Sequence, residues 1–229
     1  MDLSALLEIR PGVTAVIGGG GKTTLLRVLG TELAEAGARV LLCTTTKIFP
    51  FDGLLNLTSP SEEALAEALK ARRLVCAGSP VSGTGKLTAP AIPMKKLAAL
   101  ADYVLVEADG SAGRPFKAHA AHEPMLPRLA NQVIYMVGAS GFGRPVREAV
   151  HRPELFWFLS DLEPEDPVTP EAVAEALQIE AAAGGPPVRV FVNQAEDEAA
   201  LANARRLAER LPWPVCAGAL NRRSWTCLL

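Results

Sequence analysis

Between Gly12 and Gly30 the chain reads GVTAVIGGGGKTTLLRVLG, and four consecutive glycines, Gly18, Gly19, Gly20 and Gly21, run directly into Lys22, Thr23 and Thr24. Glycines carry no Cβ, so the backbone N–H groups of such a turn can curl around an oxyanion, and the helix that follows adds the positive end of its dipole. Lys22 would neutralise outer phosphates, and the Thr23 hydroxyl is a hard oxygen donor for Mg²⁺. The long pattern G-x-x-x-x-G-K-[ST] fails, because it needs glycine where Val16 stands in a strand-like run. The shorter G-x-x-G-K-T-T fits from Gly18 to Thr24. A dinucleotide fingerprint starting at Gly18 would meet Thr23 at its third glycine, and LLCTTTK offers no acid at the end of the second strand. A plain tight turn would need fewer glycines, each of which costs conformational entropy.

A second constellation lies in DYVLVEADGSAGRPFK, an apolar run ending in Glu107 and Asp109. Alternation along an extended chain puts both carboxylates on one side, at the carboxyl edge where open α/β sheets bind ligands. One would hold Mg²⁺, the role given to Asp109, and the other, Glu107, would orient or deprotonate an attacking group. Thr23, Glu107 and Asp109 are therefore the expected metal set, and Lys22, Glu107, Asp109 and Lys117 the expected catalytic set. Arg114 and Lys117 follow as candidates for an anionic contact, and Thr46 and Lys47 of CTTTKIF offer a hydroxyl and a cation beyond the second strand. Asn193 in VFVNQAED occupies the asparagine slot of the guanine-reading pattern N-K-x-D, with Gln194 and Glu196 in place of its lysine and aspartate, so ATP and GTP both stay open. His119 and His122 beside Glu123 lack zinc-site spacing. GSPVSGTGKL resembles a second phosphate loop but has Leu87 after Lys86 and Pro80 where glycine should be, so a loop or hairpin is expected around residues 78–92.

These residues need a frame to hold them. Short β-branched runs (VTAVI, RVLLCT, RLVCAG, YVLVEA, QVIYMVG, VRVFVNQ, PVCAG) alternate with Ala/Leu/Glu-rich helical segments, one of them closed by Gly37 and another capped by Ser61. That pattern predicts an α/β fold, a doubly wound, mostly parallel sheet with helices on both faces, in one domain over residues 1–229. At 229 residues, 49% apolar and 21% charged, the chain has the composition of a globular protein rather than a disordered one. A net charge of −2, with no run of Lys or Arg, gives no footprint for nucleic acid. No stretch reads as a signal peptide or membrane span, and the four scattered cysteines lack metal or disulfide spacing, so a cytoplasmic protein is expected.

Taken in order, GGGGKTT, TTTK, VEADGSAGRPFKAH, HEP, VGASGFGRPV and HRPELF resemble the YqeC family of selenium-dependent molybdenum hydroxylase accessory proteins, over most of the chain from Gly18 to about Asp197. The resemblance implies a P-loop NTPase-like fold, nucleotide contacts from Gly18 to Thr24, and roles for Thr46, Lys47, Glu107, Asp109, Lys117 and a turn His151-Arg152-Pro153-Glu154. The implied function is a Mg²⁺-dependent ATP- or GTP-binding maturation factor, a slow NTPase whose partner is a molybdenum hydroxylase or its cofactor-maturation proteins. Slow turnover fits the lack of an evident arginine finger. The glycine loop is also similar to the compact loop of Mur-type amide ligases, which leaves open a small-molecule ligase or kinase. A non-catalytic adaptor switched by nucleotide is the remaining alternative.

Overall fold

Apolar β-branched runs become the strands of the computed structural model, which describes residues 1–181 and 188–228. The strands are β1 (Gly12–Gly18), β2 (Val40–Thr44), β3 (Leu55–Thr58), β4 (Leu74–Val81), β5 (Lys86–Thr88), β6 (Tyr103–Glu107), β7 (Phe116–Lys117), β8 (Ala130–Gly138), β9 (Val150–His151), β10 (Val188–Asn193), β11 (Val215–Ala219) and β12 (Ser224–Cys227). The helices are α1 (Leu3–Leu6), α2 (Lys22–Glu35), α3 (Glu62–Arg72), α4 (Met94–Leu100), α5 (Val146–Ala149), α6 (Pro153–Ser160), α7 (Pro170–Ala181) and α8 (Glu198–Ala208). The chain divides into two units, one of Met1–Val16, Thr23–Gly110 and Met125–Val133, the other of Ile17–Lys22, Ser111–Pro124 and Ile134–Leu229.

In the first unit the strands lie in the order β1, β6, β2, β4, β3, every neighbouring pair parallel. Val16 and Thr44 are both level with Glu107, so β6 and β2 end together while β1 runs on from Val16 to Gly18. Leu41 and Cys43 point into a cluster with Leu65 and Leu69 of α3 and Leu97 of α4. Leu42, between them, faces the other way, and a Cβ on Gly30 of α2 would lie 3.1 Å from it and 2.9 Å from Leu74, closer than ordinary van der Waals contact, so α2 covers the opposite face. Helices therefore cover both faces, as alternation of strand and helix demands. Ser61 caps α3 by accepting from Ala64 N at 3.2 Å. Gly37 ends α2 in the left-handed region at φ +93°, with Ala38 N reaching back to Leu33 O at 3.1 Å. The segment around 78–92 carries β5, which returns antiparallel to β4 through Pro80↔Leu87.

The second unit orders β8, β10, β11, β12, with β10 and β11 parallel and β11 and β12 antiparallel. Val190 and Phe191 of β10, which point to opposite faces of the sheet, and Ala204 and Leu207 of α8 are all fully buried. Leu228 N donates to Val215 O at 2.9 Å, so Cys216 faces Cys227 in the next, non-hydrogen-bonded pair of that ladder. β7 and β9 form a separate parallel pair. His151-Arg152-Pro153-Glu154 is not a free turn: His151 ends β9 and Pro153 opens α6, whose N-cap Arg152 sits at φ +66°. The last residue of the expected helix PEAVAEALQIEAA, Ala182, lies outside the described residues.

Candidate functional site

The strand that carries Glu107 is extended only to that residue, so Asp109 stands beyond the end of β6 rather than on its alternating pattern. Both are withdrawn from solvent, Glu107 at 7% exposure and Asp109 at 0%. Glu107 is fixed from two sides: its carbonyl accepts the Thr44 hydroxyl at 2.7 Å and the Thr45 N–H at 3.1 Å. Its carboxylate accepts the Thr23 hydroxyl at 2.8 Å. Thr23 lies in the first turn of α2, where helix geometry leaves N–H groups without intrahelical partners and adds the dipole's positive end.

The threonine loop organises itself around Thr44, which accepts the Thr46 N–H at 2.9 Å and lies 3.2 Å from the Thr46 hydroxyl. Thr88 of β5 donates to the Thr46 carbonyl at 2.7 Å, tying the hairpin to this loop. Lys47 is exposed. The Thr45 hydroxyl oxygen is buried without a hydrogen-bond partner among the described residues.

In the second unit the glycine turn is held by its neighbours. Gly18, Gly20 and Gly21 have φ of +89°, +79° and +118°, values open to glycine and costly for other residues. A Cβ on Gly18 would collide with the Met136 carbonyl, on Gly19 with Arg114 and Pro115, and on Gly20 with Gly138. The run of four glycines is thus required by packing as well as suited to phosphate. Gly19 N donates to Met136 O at 3.0 Å and Gly20 N to Arg114 O at 3.1 Å. Lys22, 4% exposed, folds back so that its ammonium donates to Gly18 O at 2.6 Å and Ser111 Oγ at 3.3 Å.

Asn193 is set against this turn: its amide donates to Gly20 O at 2.7 Å and its oxygen accepts Leu220 N–H at 3.1 Å. Both ends of the amide are thus engaged by backbone. Gln194 accepts the Ser140 hydroxyl at 2.6 Å, and Glu196 pairs with Arg222 at 2.6 Å, so neither side chain of this segment stands alone. Lys117 has no exposed side-chain surface and pairs with Glu123 at 3.1 Å, while the other Glu123 oxygen is bonded by Arg152. His119 meets Glu180 through Nδ1 at 2.7 Å, and Tyr135 donates to the same Glu180 oxygen at 2.9 Å. The Arg114 guanidinium is bonded to Glu148 O.

Sequence reasoning missed Ser111 and Glu148, and met Glu123 only beside His119 and His122 as a rejected zinc site. Thr44 was legible among the hydroxyls at the end of the second strand, whereas the others depend on long-range contacts that spacing does not reveal. No group of three or more His, Cys, Asp or Glu among the described residues could hold a metal ion. Thr23 and Glu107 still fit Mg²⁺, which takes hard oxygens and commonly one or two carboxylates completed by substrate phosphates and water. No helix among the described residues is long and apolar enough to cross a membrane.

The family model described as YqeC protein matches residues 14–154. The protein YqeC of Escherichia coli (strain K12), described as uncharacterized, is 35% identical over 171 residues, covering 72% of this chain. The chain spans 66% of that relative's own length. Among solved structures, the signal recognition particle receptor FtsY from Elizabethkingia anophelis aligns over 93% of this chain and 61% of its own, at 14% identity and a TM-score of 0.41.

Proposed function

The chain belongs to the YqeC protein family, and from that premise we propose that it is a Mg²⁺-dependent nucleoside-triphosphate-binding accessory protein and a slow NTPase. The observation that carries this reading is the Thr23 hydroxyl on the Glu107 carboxylate at 2.8 Å, directly after a glycine turn and a buried lysine. A hydroxyl and a carboxylate held together at the start of a helix make a Mg²⁺ position, on the residue that follows the phosphate-binding lysine in the chain. Lys22 and the first N–H groups of α2 would bind phosphate oxygens, and Thr23 and Glu107 would hold the ion. When bound, Mg²⁺ supplies charge that offsets the phosphate oxygens. Asp109, in the same EADG segment, is the residue proposed to orient the attacking water. This exchanges the roles that strand alternation suggested for the two acids. Thr46 and Lys47 remain candidates for an anionic substrate.

Turnover is slow because Arg114 and Arg152 are each committed to an internal acceptor, Glu148 O and Glu123, so neither serves as an arginine finger in this conformation. The family resemblance supports a client among selenium-dependent molybdenum hydroxylases or their cofactor-maturation proteins. Calorimetric titration with Mg²⁺ and ATP, GTP or CTP tests the core of the reading. Binding of at least one triphosphate is expected, with the heat lost in Lys22→Ala. A folded Lys22→Ala with wild-type affinity overturns it. Phosphate release measured with and without a partner hydroxylase then separates a partner-stimulated NTPase from a silent adaptor.

A further inference from the structure

We infer that residues Ser111–Pro124 form a strap that reports the state of the glycine turn to helix α6. This deepens the proposed function and rests on its phosphate site. All the contacts lie within the second unit.

At one end, the strap occupies the donors that a phosphate would take. Gly20 N–H is given to Arg114 O at 3.1 Å, and the Lys22 ammonium to Ser111 Oγ at 3.3 Å as well as Gly18 O. A triphosphate bound to the turn competes for that N–H and that ammonium, so the Arg114 carbonyl and Ser111 hydroxyl lose partners together. A carbonyl that loses its donor without gaining another is costly, which gives the half-buried Arg114 and its segment reason to move.

At the other end, the same short segment is bonded to the chain leading into α6. The Arg114 guanidinium holds Glu148 O, Phe116 and Lys117 pair with Val150 and His151, and Ala118 N donates to His151 O at 3.1 Å. Glu123 closes the connection by accepting from Lys117 at 3.1 Å and from Arg152, the left-handed N-cap of α6. Helix α6 then presents Trp157 and Phe158, ring centroids 4.7 Å apart, at 42% and 73% exposure. Displacing Ser111–Pro115 therefore pulls on β9 and on the first turn of α6.

Linkage fixes a sign. If the strap resists nucleotide binding, loosening it at the far end lowers that resistance and tightens binding. Arg152→Gln removes the charged bond to Glu123 at the other end of the strap and is expected to bind Mg²⁺-ATP or Mg²⁺-GTP about fivefold to tenfold more tightly, the lower part of the range of ordinary coupling. A purely structural role would leave affinity equal or weaker. In a chain with Trp213→Phe and Trp225→Phe, Trp157 emission should change on adding the triphosphate, saturating at the calorimetric affinity. Hydrogen exchange of residues 150–160 in the unaltered chain should also change, which decides the matter even if Arg152→Gln fails to fold. Heat of binding with no change in either Trp157 emission or exchange at 150–160 overturns the strap and leaves the phosphate site standing. Equal or weaker binding by a folded Arg152→Gln also overturns it. No heat for either triphosphate removes both.

Discussion

Glu107 divides its polar groups between two jobs: the carbonyl is held by Thr44 and Thr45, and the carboxylate by Thr23. Thr44→Val removes the buried hydroxyl bond while nearly keeping the shape, so it should cost about 1–2 kcal/mol in denaturant unfolding. Glu107→Gln keeps an acceptor for Thr23 but loses the charge, so triphosphate affinity measured in EDTA should hold while the gain from added Mg²⁺ falls roughly tenfold or more. Away from the site, the Arg39 guanidinium and backbone N–H hold the Asp102 carboxyl down to about 2. A depressed carboxyl contributes stability above its unfolded value of about 3.9 and loses it as pH falls from there toward about 2. Because both side chains are more than a third exposed, the contribution should be no more than about 1 kcal/mol. Asp102→Asn should thus be less stable than the unaltered chain at neutral pH and equal to it near pH 2, read by urea midpoints. A gap that persists at the acid end would place the effect in packing instead.

Among the elements, the glycine turn shows what sequence could and could not reveal. In the sequence the run of glycines before Lys22 suggests a phosphate cradle, while in the structure three of them are demanded by neighbours, Gly18 by Met136, Gly19 by Arg114 and Gly20 by Gly138. Gly20→Ala combines a left-handed backbone with a collision against Gly138 and should lose roughly 2–5 kcal/mol of stability. Thermal melts of Gly20→Ala beside Gly37→Ala separate the two causes, because a Cβ on Gly37 meets nothing and pays only for its φ. The parallel strands were readable because buried strands are nearly continuous apolar runs. β3 was not, since its burial is partial and the four residues of LNLT are too short a run to stand out as a strand. β7 and β9 are two residues each, too short for any period, and their pairing depends on partners far apart in sequence. PELFWFLS hid α6 because its aromatic run has no polar face, and Trp157 and Phe158 are exposed despite it. Asp109 was expected on the strand, but β6 ends first.

At the scale of the whole molecule, the cysteines report how tightly the chain is closed. Burial pushes the Cys43 thiol far up, with Cys76 nearby adding to it, and pushes Cys76 itself up to about 12. Folding thus favours the protonated thiols, a contribution complete below the unfolded thiol value of about 8.5 and eroded as pH rises through it, so the fold should weaken above about pH 9. Replacing both by alanine or serine would introduce cavities or polar groups, so the pH dependence of the unaltered chain is the cleaner readout. An aromatic disulfide reagent should find Cys227 in the folded protein and reach Cys43 and Cys76 only on unfolding. The C-terminal strand β12 adds one more consequence. Its register sets Cys216 opposite Cys227 in a non-hydrogen-bonded pair, whose Cα atoms are typically about 4.5 Å apart, within reach of a cross-strand bridge. A two-electron azo oxidant such as diamide would take both thiol hydrogens and join the sulfurs, and the chain would lose the mass of two hydrogens. Peptide mapping should find that single link and no other, fastening the end of the chain to the sheet beside it.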